Sequence, residues 1–254
     1  MATWHHVTLA SAGRLPLFPG EIPRRAAVRA LARVASDRLA LFYVADDHAH
    51  LLLRASDTEL RRVNHGILLS LRALAQAPVD LPRSTPVRDR DHLLSLLPYF
   101  LLQARKHGRS ESPITWSGSC LADLLGTRRV PSLRMQLSEA LTRVSQGQIL
   151  QIVGLSPAPL VPVEDLTALP PARALHAAAW IFAAPPDLPG NTPVEVAARV
   201  AAAHLGRAAG IPVVRIAETL GVTDRAMRGL VTRNCPEAHL QALRLHLALE
   251  GRAG

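Results

Sequence analysis

Two histidines, a tyrosine and a glutamine have the types and spacing to hold a metal ion beside a nucleophile. His48 and His50 are two residues apart in "DDHAHLLL", so on a strand they point to one face. Tyr99 and Gln103 are four apart in "PYFLLQARKHG", so on a helix they share a face. Imidazole nitrogens and an amide oxygen can hold a divalent ion with open positions, and a phenol can attack phosphorus. The alternative is that the imidazoles and the phenol ring only pack in the core.

The segments that carry these residues are predicted to form a small antiparallel sheet with helices on it. Strand patterns occur in "TWHHVTLAS", "LALFYVAD" and "HAHLLLRAS", the last two turning at Asp46-Asp47. Helical patterns occur in "PRRAAVRALARVASDR", "SDTELRRVNHGILLSLRALAQ" and "DRDHLLSLLPYFLLQARKHG". Ser56 and Glu59 have capping-box spacing at the start of the second helix. The class is therefore α+β, and the two aspartates are assigned to the turn in preference to a metal.

Residues 128–190 are interpreted as a linker or accessory segment, because prolines punctuate them. Within them we predict helices at "VPSLRMQLSEALTRVSQ" and "ARALHAAAWIF" and a strand at "QILQIVG". Residues 191–254 have helical patterns throughout. The sequence thus predicts three parts, comprising residues 1–127, 128–190 and 191–254.

The stretch "VVRIAETLGVTDRAMRGLVTRN" has the pattern of a helix-turn-helix. Gly221 supplies the tight turn and Thr223 can cap the second helix. The predicted inward positions are Ile216, Ala217, Leu220, Met227 and Leu230, and the predicted outward ones are Thr223, Asp224, Arg225, Arg228, Thr232 and Arg233. Three outward arginines favour binding to duplex DNA. The alternative is a helical hairpin that only packs on the rest of the chain or on a partner.

The charge balance also indicates a polyanionic partner. The chain of 254 residues has a formal net charge of +9 and a pI of about 11.1, and nucleic acid is the first candidate for such a chain. We find no apolar run long enough to cross a bilayer and no signal-peptide pattern at the start. The two cysteines, Cys120 and Cys235, are far apart, which suits a reducing cytoplasm.

Four segments together resemble one protein family. "ADDHAHLLL" resembles the HUH motif of the single-tyrosine transposases, "WHHVT" resembles their opening strand, and "YFLLQARKHG" resembles the helix that carries their nucleophilic tyrosine. "ITWSGSCLADLLG" resembles the Trp-Ser segment that follows this helix in the REP-associated tyrosine transposases. The four matches occur in the family's order and cover most of residues 1–127.

The resemblance implies a ferredoxin-like HUH domain in residues 1–127. It implies a divalent ion, Mg²⁺ or Mn²⁺, held by His48, His50 and Gln103. Tyr99 would attack a phosphate of single-stranded DNA, leaving a 5′-phosphotyrosine link and a free 3′-OH. The 3′-OH of another strand could then attack this link and join the two strands. The resemblance further implies a bacterial cytoplasmic protein associated with the nucleoid, acting on DNA flanked by hairpins, without a membrane partner, and it allows a homodimer.

The expected DNA contacts lie in two places. Lys106 and His107 follow Gln103 and could contact a phosphate, although cations also suit a solvated helix end. The expected duplex contacts are Thr223, Arg225, Arg228 and Arg233.

The chain departs from the family's pattern at a few positions, which concern DNA preference more than chemistry. Asp46 and Gln103-Ala104 stand where the family often has Pro and Asn-Pro, the expected basic residue is delayed to Arg14, and "APVDLPRSTPVRDRD" forms a compact predicted loop. Two further interpretations stay open: an HUH replication or relaxase-type initiator, and a domesticated, non-catalytic DNA-binding regulator.

Overall fold

The computed structural model describes residues 2–103, 113–130, 132–133, 144–156, 164–166 and 168–251. The chain divides into two units, the first comprising Met1–Leu125 with Pro131–Pro157 and the second Gly126–Val130 with Ala158–Gly254. The predicted boundaries at residues 127 and 190 do not coincide with this division, because residues 128–190 are shared between the units.

The first unit contains a four-stranded antiparallel sheet with the strand order β2-β3-β1-β4. Its elements are β1 (Thr3–Ala10), α1 (Glu21–Ala35), β2 (Leu39–Val44), β3 (His48–Ala55), α2 (Asp57–Arg72), β4 (Arg83–Pro86), α3 (Arg90–Leu101), α4 (Leu121–Leu124) and α5 (Gln146–Ile152). The predicted α+β class is confirmed, and the order βαββαβ is compatible with a ferredoxin-like arrangement. The short exposed strand β4 lies where the sequence predicts only a loop.

The two faces of the sheet differ because side chains alternate along each strand. Val7 pairs with Leu51 in the register of β1 and β3, and both are fully buried. Thr8 pairs with His50 and points to the opposite face. Tyr99 near the end of α3 contacts His50 ring to ring, with the centroids 5.3 Å apart, so α3 lies on this second face. The histidine face is therefore the one that can form a site.

The start of α2 confirms the predicted capping box. The Glu59 carboxylate accepts hydrogen bonds from the backbone N–H of Ser56 at 3.0 Å and from its hydroxyl at 2.8 Å. The bonds from Ser56, followed by one from Arg38, lower the pKa of Glu59 to about 2. The cap fixes where α2 begins after β3.

Two predicted elements differ in the structure. The first five residues of "QILQIVG" belong to helix α5 and not to a strand. Ser145 caps this helix by accepting from the N–H of Gln148 at 3.2 Å, and a short apolar run does not distinguish the two conformations. Helix α3 ends at Leu101 because Leu102 leaves helical geometry with φ −100° and ψ 7°, so a break of one residue separates the helix of Tyr99 from Gln103, which is helical again. The predicted helix at "VPSLRMQLSEALTRVSQ" falls largely outside the described residues.

The second unit is helical. Its elements are α6 (Pro171–Ile181), α7 (Pro193–Ala208), α8 (Val213–Leu220), α9 (Asp224–Thr232) and α10 (Glu237–Glu250). Ala177, Ala178 and Ile181 of α6 are buried, and α6 packs on α7. This buried apolar face makes α6 part of the unit's core and not part of a linker. Within the described residues, no helix combines the length and apolar composition needed to span a membrane.

Helices α8 and α9 form the tight pair that the sequence predicts. Gly221 joins them in the left-handed conformation, with φ 63° and ψ 33°. The Thr223 side chain caps α9 by accepting from the N–H of Ala226 at 3.2 Å. The predicted inward residues are confirmed as buried: Ile216, Ala217, Leu220, Met227 and Leu230.

Candidate functional site

An open cleft of about 440 Å³ lies on the histidine face of the first unit's sheet. It is lined by Thr8, Ala10, Arg14, Asp47, His48, His50, Tyr99 and Gln103. Strand β1, the β2–β3 turn with β3, and the end of α3 each contribute. The cleft therefore brings together all four residues that the sequence singles out for a metal and a nucleophile, although α3 ends before Gln103.

The Tyr99 hydroxyl lies 3.2 Å from Nε2 of His50. On the other side of the same ring, Nδ1 of His50 lies 3.2 Å from Oγ1 of Thr8 and 3.1 Å from Nε2 of His6. When Nδ1 carries the proton and donates it to one of these acceptors, the lone pair is on Nε2 and faces the phenol. His50 is 8% exposed, so these contacts fix the orientation of its ring.

His48 is oriented through its Nδ1 by a different kind of partner. Its Nδ1 lies 2.7 Å from Oδ1 of Asp47, and a carboxylate oxygen can only accept, so Nδ1 donates. In the neutral ring the lone pair is therefore on Nε2. The two rings are 4.9 Å apart between centroids. Carboxylate and hydroxyl partners of this kind are what orient imidazoles toward a metal.

Two members of the cluster, His6 and Thr8, are missing from the residues proposed from the sequence. Burial, followed by the nearby His92, lowers the pKa of His6, so its ring is neutral near pH 7 and can accept from His50. His6 and Thr8 are two apart on β1 and share the face of His50. In "HHVT" the sequence does place two polar residues, His6 and Thr8, two positions apart. This spacing indicates a site only when β1 is known to pair with β3.

The donor set of the cleft fits a divalent ion only when Gln103 is included. The described residues contain no group of three or more His, Cys, Asp or Glu side chains that could hold a metal. Gln103 is 2% exposed, and its Nε2 makes no hydrogen bond, so no contact of the amide nitrogen fixes the orientation of the amide, whose oxygen is the atom that can ligate an ion. Two imidazole nitrogens and one amide oxygen then form a neutral set with open positions.

Asp46 stabilises the turn before His48 and does not enter the cleft. Its carboxylate pairs with Arg24 at 2.6 Å, and its carbonyl accepts from the N–H of Phe18 at 2.8 Å. The Arg24 guanidinium also lies 3.9 Å from the centre of the Trp116 ring. Trp116 in turn donates from Nε1 to the carbonyl of Val44 at 3.0 Å. The Trp-Ser segment thus braces the hairpin that carries the histidines.

Gly118 explains why this segment can lie so close to β2. The backbone N–H of Val44 donates to the Gly118 carbonyl at 2.9 Å. A Cβ at position 118 would lie 2.0 Å from the Val44 oxygen, which no side chain can tolerate. Glycine is therefore required for the edge of the sheet to be covered here.

The residues expected to contact DNA fall into two groups. Lys106 and His107 lie outside the described residues, whereas the delayed basic residue, Arg14, lines the cleft. In the second unit the four expected duplex contacts are exposed, with Thr223 also serving as the cap: Thr223, Arg225, Arg228 and Arg233. The structure thus leaves the arginine side of α9 accessible.

Fold and site together define an α+β unit with a cleft of imidazoles, a phenol and an amide, followed by a helical unit with an exposed basic helix. Compared with known proteins, the chain matches no protein-family model, no curated protein and no solved structure. Functional conclusions therefore rest on the geometry of its own residues and on the resemblance of its motifs.

Proposed function

We propose that the first unit cleaves and rejoins single-stranded DNA through a covalent link to Tyr99, as the HUH single-tyrosine transposases do. One observation carries this proposal: the Tyr99 hydroxyl contacts His50 in a cleft that also holds His48 and Gln103. A phenol beside oriented imidazoles with metal-ligand chemistry is what a phosphotyrosine reaction needs. A tyrosine that only packed in the core would not line an open cleft beside two oriented histidines, as Tyr99 does.

In the proposed step the Tyr99 oxygen attacks the phosphorus of a DNA phosphodiester. The new bond joins this oxygen to phosphorus, and the bond between phosphorus and the 3′ oxygen breaks. The phenol proton passes to water in the open cleft, and the departing 3′ oxygen takes up a proton to become a hydroxyl. The 5′-phosphotyrosine conserves the energy of the broken bond, so a second 3′-OH can reverse the step and join a different strand.

His48, His50 and Gln103 are the residues that would hold a divalent ion, Mg²⁺ or Mn²⁺. When bound, such an ion polarises a phosphate oxygen and stabilises the charge that develops on it. The protein's own contribution is orientation: Asp47 holds Nδ1–H of His48, Thr8 or His6 holds that of His50, and both Nε2 lone pairs face the cleft. The His50 lone pair would turn from the Tyr99 hydroxyl to the ion when an ion binds. Arg14 at the rim would contact a neighbouring phosphate of the strand.

The first prediction concerns Asp47. Asp47→Asn replaces the anionic acceptor of His48 by a neutral one, so the ring should be less well oriented and less basic. We expect Mn²⁺ affinity, measured by calorimetric titration, to fall about tenfold. The control is Asp37→Asn, at an exposed aspartate next to Arg38, which should leave the affinity unchanged. Unaltered Mn²⁺ binding in Asp47→Asn would show that the carboxylate does not orient a ligand.

We infer a separate role for the second unit, which is binding to duplex DNA through α9. Arg225 and Arg228 are three apart and exposed, so both can reach one groove. The core residues Met227 and Leu230 face the other way. A helix pair of this kind requires the major groove of a duplex, whereas the cleft of the first unit requires a flexible strand. The two units would therefore bind different forms of the same DNA.

The second prediction concerns these arginines. If either pairs with a guanine, its replacement by alanine should weaken binding by about 1–3 kcal/mol at that base pair and relax specificity there. If both contact only phosphates, the loss should be uniform across sequences and the salt dependence should decrease. Fluorescence titrations of the full chain at fixed salt distinguish these results, with Arg207→Ala on α7 as the control. No preference for duplex, with both variants silent, would leave α8 and α9 as a packing or dimerisation element.

The catalytic proposal is tested by a covalent capture experiment. The full chain is incubated with a pool of random single-stranded oligonucleotides and Mn²⁺, and the products are separated under denaturing conditions. We expect a DNA-linked protein band that disappears with chelator. A chain that binds the pool yet forms no adduct with any ion tested would instead be the non-catalytic DNA-binding regulator.

A further inference from the structure

Gly229 occupies the middle of α9, where a glycine weakens a helix. It is the sixth of the nine residues of Asp224–Thr232. Glycine has greater backbone freedom than alanine in the unfolded chain and loses more of it in a helix, so a mid-helix glycine lowers stability. A short helix is marginally stable by itself and depends on packing of its apolar face, so a loss of helix propensity matters more there than in a long helix.

The fold of the described residues gives no reason for this glycine. Its φ is not among the positive values found in the structure. A Cβ built at Gly229 would meet no atom within 4 Å. Gly206 on α7 shows what a packing reason looks like, since a Cβ there would lie 2.8 Å from Cδ1 of Ile216. Gly229 therefore has room for a side chain that the sequence does not provide.

The surroundings of Gly229 are basic and exposed. Arg225, Arg228 and Thr232 lie four before, one before and three after it, which places all four residues on one side of the helix. We call Arg225, Arg228, Gly229 and Thr232 the basic face of α9; all four are exposed. Met227 and Leu230 are buried on the opposite side. Gly229 thus lies at one edge of the basic face, about 50° around the helix axis from the direction opposite Met227 and Leu230, with Arg225 and Thr232 beside it.

The dimensions of a duplex make such a gap useful. An α-helix with its side chains is about 10–12 Å across, and the major groove of B-DNA is about 12 Å wide. A helix that enters this groove has little clearance on any of its exposed sides. With no side chain at Gly229, the backbone on this side of the helix can come closer to the duplex, while Arg225 and Arg228 on the adjacent part of the basic face reach bases or phosphates. The positive charge of these arginines complements a polyanion, and the match between helix diameter and groove width favours duplex DNA as the occupant.

We propose that Gly229 is the point at which α9 makes its closest approach to bound duplex DNA, and that any side chain at this position holds the helix out of the groove. This inference rests on the duplex-binding role proposed for the second unit and names the residue that sets the depth of docking. It implies that stability and binding respond in opposite directions to the same substitution.

The test uses the full chain and a 24-base-pair duplex that the wild-type protein selects from a random-sequence pool. Gly229→Ala should raise the midpoint of thermal unfolding by about 2–4 °C and weaken duplex binding several-fold. Gly229→Gln, also a good helix former, should weaken binding by at least about tenfold without lowering the unfolding midpoint. The matched control is Ala238→Gln at an exposed position of α10, which should not change binding.

The possible failures are distinguishable. Wild-type affinity in Gly229→Gln, together with weaker binding in Arg225→Ala, would overturn the close approach and leave the duplex-binding function intact. A lower unfolding midpoint in Gly229→Ala would show that the glycine serves the fold, which also overturns the inference. If the wild-type chain selects no duplex from the pool, the proposed function of this unit fails first, and the inference fails with it.

Discussion

Alanine at either His48 or His50 should abolish both divalent-ion binding and cleavage of single-stranded DNA. Each change removes one of the two imidazoles that line the cleft beside Gln103 among the described residues, and a single imidazole with one amide oxygen is too small a donor set for a stable site. We expect cleavage to fall by at least about 100-fold, the usual loss when a group that stabilises transition-state charge is removed. Mn²⁺ titration and a strand-cleavage assay on the same preparations measure the two effects together.

The controls for this experiment separate ligands from other residues. His65→Ala, at an exposed histidine of α2, should behave like the wild-type protein. Gln103→Ala should weaken Mn²⁺ binding less than either histidine variant, because a water molecule, which is also a neutral oxygen donor, can take the place of the lost amide oxygen. Cleavage should stop with chelator and return with Mg²⁺ or Mn²⁺. Full cleavage in chelator would show that the reaction needs no ion, and Nε2 of His50 would then be the proton acceptor for Tyr99.

Phenylalanine at Tyr99 should leave the fold and DNA binding intact but yield no covalent product. The change removes one oxygen atom at the half-buried end of α3, so little packing is lost. The chain has two tyrosines, and the other, Tyr43, provides the matched control. Tyr43 is 1% exposed, and its ring stacks on Trp116 in the bracing of the hairpin. Tyr43→Phe should therefore still form the adduct.

Denaturing gels with a labelled oligonucleotide compare the two variants at equal protein concentration. The expected pattern is an adduct in the wild-type chain and in Tyr43→Phe, and none in Tyr99→Phe. An adduct that persists in Tyr99→Phe and disappears in Tyr43→Phe would show that Tyr43, and not Tyr99, is the nucleophile.

Local periodicity was sufficient to predict the positions closest to the chemistry. A spacing of two on a strand determines that His48 and His50 share a face, and this follows from strand geometry alone. The capping box at Ser56 and the inward residues of α8 and α9 were likewise predictable, because each depends on residues within one or two turns. The sheet class followed from the order of these local patterns.

The remaining features depend on contacts between distant parts of the chain. His6 joins the site through the register of β1 and β3, in which Thr8 lies opposite His50, and no local pattern encodes that register. The role of α6 in the core depends on its packing against α7. The end of α3 at Leu101 is a backbone change at a single residue, which apolar spacing could not reveal. The same limit applied to α5, whose short apolar run suits either a strand or a helix.

The most direct test of the account is to identify the residue that becomes linked to DNA. The wild-type chain is incubated with Mn²⁺ and single-stranded oligonucleotides, the adduct is isolated under denaturing conditions and digested, and the modified peptide is sequenced by tandem mass spectrometry. The account predicts a nucleotide joined through its 5′-phosphate to Tyr99, with a free 3′-OH on the released strand. Attachment to any other residue would contradict it, and so would cleavage that releases both fragments of the oligonucleotide without a protein-linked phosphate.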